Sequence, residues 1–338
     1  MTRSLILIVG LLFLTPPLQA ADKVRLSISA LDVSFLTAGI ASRRGFFKDE
    51  GLDVEVIRMN ANVSIPALST GDIDYTMVFA SVIRGALRGL PMKVVASFMD
   101  SSTHMLIARP EYKSVKELKG KTLGVSTFGA TADVAARMMI KYSGVDPERE
   151  IKVIALGPDR ARFAALREGI VDVIVISPPA DSEAKKLGFN VLARTYELFT
   201  FPFTGIGATT KKLREKSDEV KRMIKAGIRA NRYMRQNRDG AIQVMMDWGK
   251  TDRESAANTY DSTWRIFSED GGMTENGLKV VIDQAKQSMN IDRPVAISEV
   301  AEFSLVRDAQ KELASKRVDR KLELRTERVM RALSIMTY

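Results

Sequence analysis

Ala67-Leu68-Ser69-Thr70-Gly71-Asp72-Ile73-Asp74 and Ala165-Leu166-Arg167-Glu168-Gly169-Ile170-Val171-Asp172 share the pattern Ala-Leu-x-x-Gly-x-x-Asp at an offset of 98 residues. Each is followed by a largely apolar run, 75–79 in the first copy and 173–176 in the second. The pattern reads as the end of a helix, a glycine that stops it, and an acid that opens a strand covered on both faces. The same offset lays 24–29 near 122–127 and 54–57 beside 152–155. Between these strand-like segments lie helical stretches at 37–47 and 66–69, and again at 132–142 and 162–167. Strand alternating with helix predicts parallel β-α-β units, and two copies in the same order predict two similar α/β lobes.

Outside the repeat, composition narrows the function. The chain has 338 residues, 45% of them hydrophobic, enough for a large core and for more than one lobe. Its N-terminus has a short basic head, Thr2-Arg3-Ser4, an uncharged apolar stretch at 5–14, then Thr15-Pro16-Pro17 and the small-residue site Leu18-Gln19-Ala20. That outline predicts a signal peptide over 1–20, cut after Ala20 or Ala21, and export to the periplasm. The apolar stretch is shorter than the roughly 20 residues that span a bilayer. With no cysteine in the sequence, neither a lipid-modified cysteine nor a disulfide is available.

The net charge of +10 could indicate nucleic acid, but the basic residues are dispersed except after Lys311, and no aromatic-and-basic platform accompanies them. No nucleic-acid partner is expected. A single histidine, His104, leaves little material for a Ser-His-acid site and none for a His-rich metal site. Gly120-Lys121-Thr122 echoes the end of a phosphate-binding loop, yet Val115 stands where its first glycine belongs. The expectation is capture without catalysis, metal or cofactor.

Four blocks resemble one family of solute-binding proteins. They are Gly45-Phe46-Phe47-Lys48-Asp49-Glu50-Gly51-Leu52-Asp53-Val54-Glu55, the first repeat at 67–74, Gly89-Leu90-Pro91-Met92-Lys93-Val94-Val95-Ala96, and Ser114-Val115-Lys116-Glu117-Leu118-Lys119-Gly120-Lys121-Thr122-Leu123-Gly124-Val125. The family holds the nitrate-, taurine- and alkanesulfonate-binding proteins of ABC transporters and is related to the thiamine-pyrimidine synthases. The resemblance spans about 24–210 and implies an α/β, periplasmic-binding-protein-like fold of type II, with two α/β lobes, a double-crossover hinge and C-terminal helices. Lobe I would take 21–105 and 206–310, lobe II 106–205, and a basic helical extension 311–338. The chain would cross near 104–109 and return near 201–208, and helices at 217–237, 239–248, 253–266 and 274–289 would pack back on lobe I. The histidine and cysteine clusters of the pyrimidine-forming enzymes are missing from this sequence. The resemblance thus implies a monomeric periplasmic component that hands a small solute to an ABC permease in the inner membrane. The alternative is a ligand-sensing periplasmic domain for a regulator or another secreted complex.

In open α/β sheets a ligand sits beyond the carboxyl ends of the strands, where helix N-termini present free N–H groups. That rule selects the loops 31–37, 60–64 and 79–81 in one lobe and 126–131, 157–162 and 177–179 in the other. The candidate ligand-binding residues are Ser34, Phe35, Asn62, Ser64, Phe79, Ser81, Ser126, Thr127, Phe128, Thr131, Arg160 and Ser177, with Thr204 in the return connector. The hydroxyl and amide groups can hold an anion together with backbone N–H groups, and the phenylalanines could wall a cleft. Arg160 is preferred over Arg162 as the charge partner of an anionic or acidic solute.

Overall fold

The computed structural model of the protein describes residues 21–129 and 131–315. The expected leader at 1–20 and most of the expected extension at 311–338 lie outside the described residues. The first lobe runs β1 (Asp22–Ile28), a 3-10 turn (Val33–Phe35), α1 (Leu36–Arg43), α2 (Phe46–Asp49), β2 (Leu52–Arg58), α3 (Ala61–Thr70), β3 (Tyr75–Thr76), α4 (Phe79–Leu87) and β4 (Met92–Ser97). The chain then crosses and forms β5 (Met105–Ala108), β6 (Thr122–Val125), α5 (Thr131–Tyr142), β7 (Lys152–Ala155), α6 (Asp159–Arg167), β8 (Val173–Ile176), α7 (Ala180–Lys186), β9 (Asn190–Arg194) and α8 (Thr195–Leu198). It returns to β10 (Gly205–Thr209), α9 (Thr210–Glu215), α10 (Ser217–Gln236), α11 (Arg238–Gly249), α12 (Arg253–Thr263), α13 (Glu275–Met289) and α14 (Ile297–Val300), and is again helical over 304–315.

The two sheets have the orders β2-β1-β3-β10-β4 and β7-β6-β8-β5-β9. In each, three parallel strands are followed by one that runs antiparallel to both its neighbours: β10 in the first, β5 in the second. Each antiparallel strand comes directly from a crossing. The connections therefore lie at 98–104 and 199–204, slightly ahead of the expected segments, because 105–108 and 205–209 are already strands.

The repeat performs the same task in both lobes. Gly71 and Gly169 end α3 and α6 at φ 84 and φ 76, a left-handed conformation that a side chain would strain. The Asp74 carboxylate then accepts the Arg25 amide of β1 at 2.8 Å, and the Asp172 carboxylate accepts the Thr122 amide of β6 at 2.8 Å. Each acid thus ties the start of the third strand to the first strand beside it. The apolar run 173–176 is continuous because both faces are covered: Val173 and Val175 join one core, Ile174 and Ile176 another. In lobe I the run is cut short, since 77–78 leave the sheet and Phe79 starts α4.

The C-terminal helices complete lobe I. α10 places Val220, Met223, Ile224, Ile228 and Met234 on its buried face at helical spacing, and these join the core formed by β1, β4 and α1. Asp218 and Glu219 in its first turn suit the positive end of the helix dipole.

Candidate functional site

A cleft of about 840 Å³ opens between the lobes, at the carboxyl ends of β1, β7 and β8. Its lobe I wall includes Leu31, Asp32, Val33 and Leu36, and α11 and α12 extend that wall with Trp248, Asp252 and Ser255. Its lobe II wall includes Asp159, Arg160, Phe163, Ser177 and the Pro178-Pro179 pair, whose peptide bond is cis. Glu183 and Lys186 of α7 and Arg167 of α6 add further charge to that wall, so aromatic and aliphatic surface is interleaved with charged and hydroxyl groups that can orient a small polar solute.

A chain of hydroxyls links the two walls through the first connection. Thr103 donates to the Ser177 oxygen at 3.1 Å. The Thr103 hydroxyl has one proton, so at its 3.0 Å contact with Ser34 it accepts and Ser34 donates. Ser34, in lobe I, is 3% exposed, and Ser177 lines the cleft from lobe II. The proton of the Ser177 hydroxyl has no acceptor among the described residues and is available to an acceptor atom of a solute.

Asp32 caps the 3-10 turn at the end of β1, accepting the Ser34 amide at 2.9 Å. Burial pushes its carboxyl up to about 6, opposed by that hydrogen bond and reinforced by the charge of Asp159 on the other lobe. Among the described residues no cation pairs with Asp32. The Trp248 indole N–H donates to the Asp32 carbonyl oxygen at 3.2 Å and so fixes α11 against the loop. Trp248 also lies over Gly39 of α1, where an added Cβ would fall 2.8 Å from the ring.

The two arginines after β7 have different surroundings. Arg162 is buried: its Nε donates to the Val175 carbonyl at 2.8 Å, and its other nitrogens reach the Gly157 carbonyl and the Asp159 carboxylate. It clamps the start of α6 onto β8. Arg160, two residues earlier, is exposed at the cleft and has no ion pair among the described residues.

The other expected residues divide into groups. Phe35 and Phe79 are buried in the lobe I core instead of walling the cleft, since both stand where a helical turn faces the sheet. Phe128 is 60% exposed and lies off the cleft lining, with Ser126 and Thr127 beside it. Asn62 and Ser64 are inside α3, not in a loop ahead of it; the helix begins at Ala61 and Pro66 falls within it. Asn62 is exposed, and the Ser64 hydroxyl turns back to the Ala61 carbonyl at 3.4 Å. Ser81 accepts from Arg84 at 2.7 Å, and Arg84 and Thr131 face a second interlobe space of about 20 Å³, room for a water molecule. Thr204 is 2% exposed, off the cleft, with no partner for its hydroxyl among the described residues. Ser177 and Arg160 therefore share one wall, and Ser34 reaches it through Thr103.

Sequence reasoning missed Thr103, Trp248 and α12. In sequence the segment around Thr103 reads as a lobe boundary, and α11 and α12 read as packing elements. Asp32 had a legible signal, being an acid in the loop after the first strand.

The family model described as "NMT1/THI5 like" matches residues 34–241. A Brucella abortus protein described as a binding protein is 25% identical over 263 residues, which is 75% of this chain and 81% of the relative. Among solved structures, the alkanesulfonate-binding protein SsuA of Xanthomonas axonopodis, bound to MOPS, superposes with a TM-score of 0.70 at 16% identity, covering 84% of this chain and all of the other (100%). The periplasmic nitrate-binding protein NrtA of Synechocystis gives a TM-score of 0.68 at 15% identity over 87% and 89% of the two chains. These likenesses establish the periplasmic-binding-protein fold. No helix among the described residues is long and apolar enough to cross a membrane.

Proposed function

The chain belongs to the NMT1/THI5-like family, and from that premise we propose that it is the periplasmic substrate-binding component of an ABC importer. The observation that carries the reading is the cleft of about 840 Å³ between two lobes joined by two connections. A small solute enters while the lobes are apart. Rotation about the segments 98–104 and 199–204 then buries it, and the closed form is what a membrane permease would accept. The protein acts as an exported monomer, with 1–20 as its removed leader and 21–105 with 206–310 moving against 106–205. Arg160 and Ser177 supply charge and a hydrogen bond to an acidic group on the solute.

The test begins with a thermal-shift screen of nitrate, sulfonates, taurine, pyrimidine precursors and aromatic acids, because a solute that binds the folded state raises its melting temperature. Small-angle scattering with a saturating hit should show a contracted particle. Superimposable curves with and without that hit would remove lobe closure. Failure of the protein to associate with, or stimulate uptake by, its membrane permease would remove the importer role. The intact mass of the periplasmic protein should correspond to a start at Ala21 or Asp22.

A further inference from the structure

The charges in the cleft are split in a way that a simple anion does not use. Asp32 sits in the lobe I wall with one oxygen held by the Ser34 amide, and it has no cationic partner among the described residues. Asp159 stands across from it but is already paired with Arg162, and Asp252 caps α12 through the Ser255 amide at 2.9 Å. Glu183 on α7 also faces the cleft without an ion pair among the described residues, but it is exposed, as are Asp159 and Asp252; Asp32 is the least exposed acid of the lining, so its charge gains most from an incoming cation. A bare sulfonate or nitrate beside it would be repelled, and an ionised carboxylate without a partner in a closing, water-poor cleft is costly. Arg160 and Lys186, both exposed on the lobe II wall and without ion pairs among the described residues, supply the opposite sign, and of the two Arg160 stands at the start of α6 beyond the end of β7.

We propose that the cleft takes a solute bearing both a protonated nitrogen and an acid group, with the nitrogen against Asp32 and the acid group at Arg160 and Ser177. Such a molecule has one charged end for each lobe, so closing the cleft pairs Asp32 and Arg160 at the same time. The Trp248 ring, fixed by its hydrogen bond to the Asp32 carbonyl, and Phe163 then cover the carbon skeleton between the ends. The inference rests on the cleft being the solute site.

Matched acids with and without an amine test it: taurine against ethanesulfonate, β-alanine against propionate, and 4-aminobutyrate against butyrate. Titration calorimetry at neutral pH should find an aminated member that binds at least about tenfold tighter than its partner, as expected for a charge-assisted hydrogen bond. Asp32→Asn keeps the oxygen that accepts the Ser34 amide and should erase that preference while leaving a folded protein, with its melting temperature as control. Arg160→Ala should weaken both members of the pair. Equal or tighter binding of the amine-free members, a preference that survives in Asp32→Asn, or no binding by any aminated acid at millimolar concentration overturns the proposal. Lobe contraction driven by a solute without an amine would sink this assignment alone and leave the importer reading in place.

Discussion

Thr103, in the segment that leaves lobe I, donates its hydroxyl proton to Ser177 of lobe II at 3.1 Å while accepting from Ser34 of lobe I. Both lobes are therefore hydrogen-bonded to the connection that joins them. Thr103→Val keeps the shape and removes the shared group, leaving two buried serines unpaired. Chemical denaturation should report a loss of about 1–3 kcal/mol, the usual cost of orphaning buried polar groups. An unchanged midpoint would mean that water replaces Thr103 at no cost.

Gly39 is required by Trp248 and not by its own backbone. A Cβ there would lie 2.8 Å from the indole, which is itself hydrogen-bonded to the loop carrying Asp32. Gly39→Ala should displace the ring into the cleft, cost about 1–3 kcal/mol through overpacking, and weaken solute binding along with it. Tryptophan emission reads the displacement directly. Wild-type emission and affinity in the variant would show that α1 and α11 can part without disturbing the cleft.

How the structure was legible from sequence differs sharply between fold and site. Asp74 and Asp172 showed the two lobes because the same backbone problem, starting a strand beside an existing one, was solved twice with the same residues. The phenylalanines misled because an aromatic near a helix start serves core and cleft equally well in one dimension. Phe35 and Phe79 went inside and Phe128 outside. The helical stretch expected at 66–69, with 60–64 as a loop ahead of it, starts too late for a different reason. Proline favours the first helical position, yet here Asn60 adopts the extended capping conformation and the helix begins earlier, carrying Asn62 and Ser64 into it. Trp248 lies 216 residues from the carbonyl it binds, and no local pattern announces such a partnership.

His104 makes its own contribution to stability fall in acid. Burial pulls its imidazole down to about 3, with the positive charge of Arg162 adding to the effect. The folded value lies below the unfolded one of 6.5, so the unfolded chain binds the extra proton and stability falls as pH drops from about 6.5 toward 3. At pH 5 the contribution is about 2 kcal/mol. Asp32 and Asp100, both pushed up to about 6 chiefly by burial, act in the opposite direction. They make the native state the stronger proton binder between about 4 and 6, and stability from them rises as pH falls through that range. His104→Gln should therefore lose about 2 kcal/mol less than wild type between pH 7 and pH 5, read from urea midpoints at both values. Parallel pH profiles for the two proteins would exclude a neutral, buried imidazole.

Lys225 of α10 is largely buried and reaches Glu50 at 3.0 Å and Glu312 at 2.9 Å, joining the first lobe to the last described helix. Lys225→Met preserves volume but removes the shared cation. Glu50 keeps Arg229 at 3.1 Å and Glu312 keeps Lys221 at 2.6 Å. The loss should therefore be about 2 kcal/mol, less than the 3–5 of a fully orphaned buried charge. A stabilised variant would show that the hydrophobic replacement outweighs the ion pairs.

The imidazole of His104 is the only one in the sequence. It stands in the outgoing connection with its ring edge-on to Phe203 of the returning one, 5.7 Å between centroids. In a proton NMR spectrum this protein has one histidine side chain to observe, displaced by the ring current of a neighbour on the other strand of the hinge. The lobe rotation proposed above would change the distance and tilt between these two rings. The two carbon-bound protons of this single ring would then serve as a natural, label-free spectroscopic reporter of that rotation, with no other histidine to overlap them.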